Sequence, residues 1–186
     1  AGTDTRQCRT CKVATPPTKG TPAAPGTTAT VYDFEGGKTT GWTSSNSNSA
    51  TGWHVSKNRK YEGQYSLYYG HPTKKNYDTG AQNYGTATSP SINLTSSKKA
   101  GLHLRIYMDV ESLTSYDKFS IAANSTTIWT KGVNSTTMKS WIKVYIDLSK
   151  YAGTNVKLKF SFDSVDSYSN TTEGIFVDAM VVYEGC

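Results

Sequence analysis

Cysteine is scarce in this chain and confined to its ends. Cys8 and Cys11 lie near the start, Cys186 is the last residue, and the 174 residues between Cys11 and Cys186 hold none. A structural zinc site needs four nitrogen or sulfur ligands, and His54, His71 and His103 show no ligand spacing. A redox CxxC would sit beside a βαβ pattern, which is missing. The three thiols therefore read as a disulfide plus one left over, either Cys8 with Cys11 or one of them with Cys186. Disulfides belong to oxidising compartments, so the chain reads as secreted and extracellular.

Long hydrophobic runs are also lacking. The longest apolar stretch, 175–183, is interrupted by Asp178 and falls far short of the roughly 20 residues of a membrane span. Only 18% of residues are charged, and 20 Lys and Arg against 14 Asp and Glu leave a net charge of +6. The cations stand in small groups, Lys57 with Arg59 and Lys60, Lys74 with Lys75, Lys98 with Lys99, or alternate as Lys157 and Lys159. No basic run reaches five, so the excess reads as solubilising charge, with no nucleic-acid partner. Proline is rare, and four of the six fall at Pro16, Pro17, Pro22 and Pro25.

What the chain has is 27 Thr, 21 Ser, 16 Gly, 13 Tyr, 5 Phe and 4 Trp. The aromatics argue against disorder. Thr, Ser, Gly and Tyr are poor residues for helix interiors, while Thr, Tyr, Val and Ile favour strands. The composition predicts an all-β domain.

Two regions follow. Residues 1–29 are Pro/Thr-rich, with no large apolar residue after Val13, the composition of a semi-rigid linker or tail. The chain begins AGTDTRQC with no initiator Met, which reads as a mature or excised C-terminal piece of a longer secreted protein. Residues 30–186 alternate in short runs. A strand is predicted at 31–35, with Tyr32 and Phe34 on one face and Asp33 and Glu35 on the other. Others are predicted at 53–55, 65–69, 102–110, 141–148, 156–162 and 175–183, with an edge segment at 87–94 and a hairpin around Asn124-Ser125. Residues 43–52 and 71–87 read as polar loops. Eight or nine strands with one-sided alternation predict two antiparallel sheets packed face to face.

Catalytic signatures are missing: no nucleophile elbow, no HExxH, no phosphate loop and no dinucleotide fingerprint. Asp109, Glu111 and Asp117 are the conceivable carboxylates for glycoside hydrolysis, but strand ends and loops account for them. A hydrolase on this sandwich scaffold is thus the lesser reading, and binding the better one. Tyr77 and Tyr84 in the long polar loop, with Tyr61 and Trp42, are the candidate ligand-binding residues, because aromatic faces stack on sugar rings at low entropy cost. Trp53 and Trp141 are assigned to the core.

The second half, SWIKVYIDLSKYAGTNVKLKFSFDS followed by EGIFVDAMVVYE, with YDFEGG, GW, YEGQYSLYYG and TATSPSINL in the first half, resembles the MAM-like jelly-roll superfamily. That superfamily comprises MAM domains, gingipain-type cleaved-adhesin domains and ancillary C-terminal modules of secreted bacterial peptidases. The resemblance covers about residues 30–184. It implies an all-β jelly-roll sandwich whose first and last strands are neighbours, and a bridge from Cys8 or Cys11 to Cys186. It also implies a structural calcium held by Glu35 and Asp178, with Asp33 a weaker ligand. Asp178 interrupts an apolar strand, where a buried carboxylate must be paired or coordinated. The implied function is noncatalytic adhesion to an extracellular protein or glycan, behind an upstream catalytic domain such as a peptidase in the same polypeptide. A carbohydrate-binding module or lectin is the alternative.

Overall fold

The computed structural model describes residues 28–95 and 98–184. Cys8, Cys11 and Cys186 lie outside the described residues, as does nearly all of the expected linker. The described chain is built of strands: β1 Thr28–Tyr32, β2 Thr43–Asn46, β3 Gly52–Ser56, β4 Ser66–Gly70, β5 Tyr84–Thr88, β6 Ile92–Asn93, β7 Ala100–Asp109, β8 Lys118–Ala123, β9 Thr126–Thr130, β10 Trp141–Asp147, β11 Asn155–Val156, β12 Leu158–Asp163 and β13 Gly174–Glu184. One short 3-10 turn, Ser149–Tyr151, follows β10. No helix among the described residues is long and apolar enough to cross a membrane.

Two antiparallel sheets form the sandwich. One runs β10-β7-β13-β4-β3, with β1 also paired to β13. The other runs β2-β5-β12-β8-β9, and β6 and β11 form a small pair of their own. The first and last strands are neighbours as the resemblance implies, Thr28 opposite Glu184 and Tyr32 opposite Met180. Alternation sorts each strand's residues between the core and the outside. In the five-stranded sheet one register row, Ala87-Phe160-Ile121-Trp129, lies in the core. In the six-stranded sheet the row Leu67-Val177-Ile106 does the same. Burying each such large side chain contributes about 1.5–3 kcal/mol. Trp53 on β3 crosses the sandwich, its ring 6.3 Å from Phe160 and its Nε1 donating to the Gly85 carbonyl of β5 at 3.1 Å. That bond satisfies the indole N–H and ties the two sheets together.

The structure departs from the alternation at several points. β1 begins at Thr28, inside the region expected to be linker, and ends at Tyr32 rather than Glu35. Phe34 has φ +57°, so the chain turns there and the predicted sharing of a face by Asp33 and Glu35 does not hold. Asp33 Oδ1 accepts the Glu35 N–H at 3.1 Å, the short side-chain turn that Asp makes readily. Within the polar stretch 43–52, Thr43–Asn46 is a strand, β2, at the sheet edge. The expected edge segment 87–94 is cut at Ser89-Pro90 into the end of β5 and β6. Proline there removes a ladder donor, which ends the pairing.

Candidate functional site: an aromatic groove on a sheet face

Glu35 and Asp178 are brought to the same segment, the loop between β3 and β4. A bulge in β13 between Asp178 and Val181, with Ala179 at φ +47°, re-aims the Asp178 carboxylate. Its Oδ2 accepts the N–H groups of Tyr61 at 2.7 Å and Glu62 at 3.2 Å, and its Oδ1 the N–H of Ala179 at 2.7 Å. Both Glu35 carboxylate oxygens lie 2.9 Å from the Gln64 N–H, and Oε1 also accepts from Tyr65 at 3.0 Å. Gly63, at φ +63°, makes this close approach possible, since a Cβ there would stand 2.3 Å from Glu35 Cδ. Arg59 completes the clamp with two bonds to Glu173, at 2.8 and 2.7 Å, its guanidinium over the Tyr107 ring at 3.9 Å.

These surroundings do not fit calcium. A calcium ion gathers six to eight oxygens. Here the carboxylates face main-chain N–H groups, whose hydrogens carry positive charge. Among the described residues no group of three or more His, Cys, Asp or Glu could hold a metal. The loop amides do for Glu35 and Asp178 what a cation would otherwise do. Asp178 is fully buried, and burial still pushes its carboxyl up to about 6 against the pull of its amide donors.

The aromatic candidates separate. Tyr77 is fully buried, its ring edge-on to Phe162 and its hydroxyl donating to Asp117 Oδ2 at 2.5 Å. It is a core residue and presents nothing to a ligand, a correction to its expected role. The polar loop buries this one ring because Asp117 satisfies its hydroxyl. Trp42 packs against Tyr32, Phe34 and Phe160 with centroids 5.6–5.8 Å away, and it too serves the core. Tyr61 remains 44% exposed, on the loop that crosses the six-stranded sheet. Trp141, assigned to the core, lies instead on the outside of that sheet, 5.7 Å from Tyr107 and 5.8 Å from Tyr61.

Tyr84 is not in a loop. It opens β5 and is 55% exposed on the outer face of the five-stranded sheet. The register places it opposite Asp163, and Asp163 opposite Lys118, so an aromatic ring, an acid and a cation form one row. The next outward row is all hydroxyl: Ser45, Thr86, Ser161, Ser120 and Thr130, crossing five strands. Asp163 Oδ1 is held by Gln82 Nε2 and the Val165 N–H, each at 2.8 Å. Tyr84, Thr86, Lys118, Ser120, Ser161 and Asp163 line a groove of about 240 Å³. From β5 to β8 the groove crosses about 10 Å of sheet at the usual strand spacing, the length of a disaccharide. A ring to stack on, hydroxyls for donor and acceptor contacts and charged groups of both signs are what a sugar needs from a binding surface. The alternation Tyr84-Gly85-Thr86-Ala87-Thr88, with Ala87 buried, was the signal that could have placed Tyr84 on this face.

The carboxylates considered for hydrolysis do not converge on this groove. Asp117 is buried with Tyr77, and Asp109 lies 3.6 Å from Lys139 at the end of β7.

The architecture defines a jelly-roll β-sandwich. No family model matches the chain, and no curated protein matches it. Solved structures do match in fold. One is a carbohydrate-binding module in complex with β-1,4-galactotriose, with a TM-score of 0.55 and 14% identity, covering 82% of this chain and 94% of that one. Another is the K1 cleaved-adhesin domain of Lys-gingipain from Porphyromonas gingivalis, with a TM-score of 0.52 and 13% identity, covering 86% and 99%. A third, from carbohydrate-binding modules of the β-sandwich superfamily, has a TM-score of 0.54 and 15% identity over 80% of this chain, which spans 59% of that chain's length. The suspected likeness to cleaved-adhesin jelly rolls thus holds for the fold.

Proposed function

We propose that this chain is a noncatalytic, extracellular binding module whose ligand is an oligosaccharide laid across the outer face of the five-stranded sheet. The observation that carries the reading is the exposed Tyr84 ring at the head of a hydroxyl-lined groove, with Asp163 and Lys118 in the same row. The neighbours in fold support it, since their own names describe carbohydrate binding and adhesion. In this reading the sugar stacks on Tyr84 and exchanges hydrogen bonds with Ser161, Ser120 and Thr86. The module brings a secreted protein to a glycan surface, and an upstream hydrolase or peptidase domain in the same polypeptide is the partner it serves.

An array of neutral plant and bacterial oligosaccharides, followed by calorimetry on the best ligand, tests the proposal. Tyr84→Ala removes the stacking ring of an exposed site and leaves the core untouched. A tenfold or greater loss of affinity is expected, about 1.4 kcal/mol or more. Retained affinity in Tyr84→Ala would remove the groove as the site. Binding to an extracellular protein with no glycan on the array bound would favour the adhesion reading.

A further inference from the structure

The outside of the six-stranded sheet carries a second pattern. Side chains at alternate positions of β10 point outward as Trp141, Lys143 and Tyr145. Their register partners on β7 are Tyr107, Arg105 and His103. Two neighbouring strands therefore repeat one motif side by side, an aromatic ring, a cation and a second ring. Arg105 and Lys143 are direct cross-strand partners. Like charges placed so repel each other across a sheet. On the other side of Arg105 in the register lies Asp178, but its oxygens are turned to the N–H groups of Tyr61, Glu62 and Ala179. Arg105 Nε is shielded from solvent and has no hydrogen-bond partner.

The rings around this pair are arranged as walls. Tyr61 stands over the Arg105 guanidinium, 4.4 Å from ring centroid to Cζ, and edge-on to Trp141 at 5.8 Å. The Lys143 ammonium lies 4.8 Å from the Tyr145 ring centroid. Behind them, Tyr107 and His103 are buried and act as supports. Lys143 itself is exposed, and Trp141, Tyr145 and Arg105 are half-buried. Beyond the β10 edge the surface continues into a groove of about 490 Å³ between β10 and Trp129 of β9, bounded by Asn134 and Ser135. From Trp141 to Tyr145 the strand covers roughly 13 Å, so the surface is long enough for a chain rather than a single ion.

We propose that this face is a second binding site, for a saccharide chain bearing carboxylate or sulfate groups. Arg105 and Lys143 take the anionic group, and Trp141, Tyr145 and Tyr61 pack on the sugar rings to either side. Guanidinium matches the planar geometry of a carboxylate or sulfate edge, and ammonium adds a point charge beside it. The inference rests on the reading of the protein as a glycan-binding module, but not on the Tyr84 groove, which lies on the opposite sheet.

The test is binding of the full chain to an oligogalacturonate, to a heparin-derived sulfated oligosaccharide and to a neutral oligosaccharide of matched length. Each is measured at low and at raised sodium chloride, with a single-stranded DNA oligonucleotide in parallel. The acidic sugars are expected to bind and to weaken as salt rises. Lys143→Gln and Trp141→Ala are each expected to lose at least tenfold in affinity for them, while Lys143→Arg retains binding and Tyr84→Ala leaves it unchanged. The Lys143→Arg control, with a melting curve for each variant, separates a binding effect from a folding one. Equal loss in Lys143→Arg and Lys143→Gln overturns the proposal, as does acidic-sugar binding that ignores both. Loss of acidic-sugar binding in Tyr84→Ala alone would move the ligand to the other sheet. DNA binding at equal affinity, abolished by Trp141→Ala, would overturn the saccharide assignment in favour of a nucleic acid. Neutral binding without acidic binding would leave the Tyr84 groove standing and refute this site alone.

Discussion

Replacing Lys131 by Met would show how much of this module's stability rests on one buried ammonium. Lys131 is 5% exposed, and its Nζ donates to the carbonyls of Glu111 at 2.5 Å, Tyr116 at 2.8 Å and Leu113 at 3.0 Å. It thereby ties the connection after β7 to the start of β8 from the far end of β9. A hydrogen bond to a charged group contributes about 1.5–3 kcal/mol. Burial works against the ammonium and lowers its pKa, while the three carbonyls and the nearby Asp117 and Glu111 charges offset part of that cost. Met fills nearly the same volume but leaves three carbonyls without their donor and the nearby buried Asp117 without its cation. Removing one partner of a buried charged arrangement costs about 3–5 kcal/mol. For a domain of this size that corresponds to a fall in melting temperature of roughly 6–20 °C. Urea unfolding of Lys131→Met beside the parent, at equal slope, measures it. A loss under about 1 kcal/mol would refute the reasoning and show that the carbonyls find water as readily as they found the lysine.

Two further outcomes follow from the same structure. Burial raises the Asp117 carboxyl from 3.8 to about 6, so the folded state holds this proton more tightly than the unfolded chain. Its contribution is complete below about pH 4 and is lost as pH rises through about 6, so unfolding becomes harder by about 1.3 kcal/mol between pH 7 and 5, and by up to about 3 kcal/mol below pH 4, from this group. Asp117→Asn should flatten that slope in urea melts, and an unchanged slope would clear Asp117 of the effect. Glu35→Gln, which cannot accept two amide hydrogens in the same way, should lower the melting temperature, while excess EDTA leaves the parent unchanged. A fall with EDTA would mean that a cation does share the Glu35–Asp178 position.

Much of the fold was legible because period two is a local property. Strand residues such as Leu104, Ile106, Phe160 and Phe162 alternate with polar neighbours, and that alternation alone names the buried face. The hairpin at Asn124 was legible for a similar reason, since Asn tolerates the φ of +53° that the turn requires. The failures share a cause as well. Tyr77 and Tyr84 look alike in a polar stretch, yet one is fully buried and the other 55% exposed. What separates them is Asp117, 40 residues from Tyr77 and near it only in space. Trp141 was assigned to the core as a large ring, although the alternation of β10 already sets it opposite Ile142, Val144 and Ile146. Its neighbours there were decided by the register with Tyr107 and Phe176, where β7 and β13 put aromatic rings on the outside. The resemblance pairs Glu35 with Asp178, but the amides that each carboxylate meets belong to a loop whose path no spacing reveals.

The sequence by itself determined that this protein is an all-β sandwich with a polar exterior, through its Thr, Ser and Tyr content and its one-sided strands. It also determined which residues can stack on or charge a ligand, since those properties belong to the side chains. Only the tertiary structure decided which of them meet. It set Tyr84 beside Asp163 and Lys118 on one sheet, and Arg105 against Lys143 between aromatic walls on the other. The physical reason is that strand alternation fixes which side a residue takes, whereas its neighbours on that side depend on pairing between distant strands, and pairing is settled by packing the whole core at once.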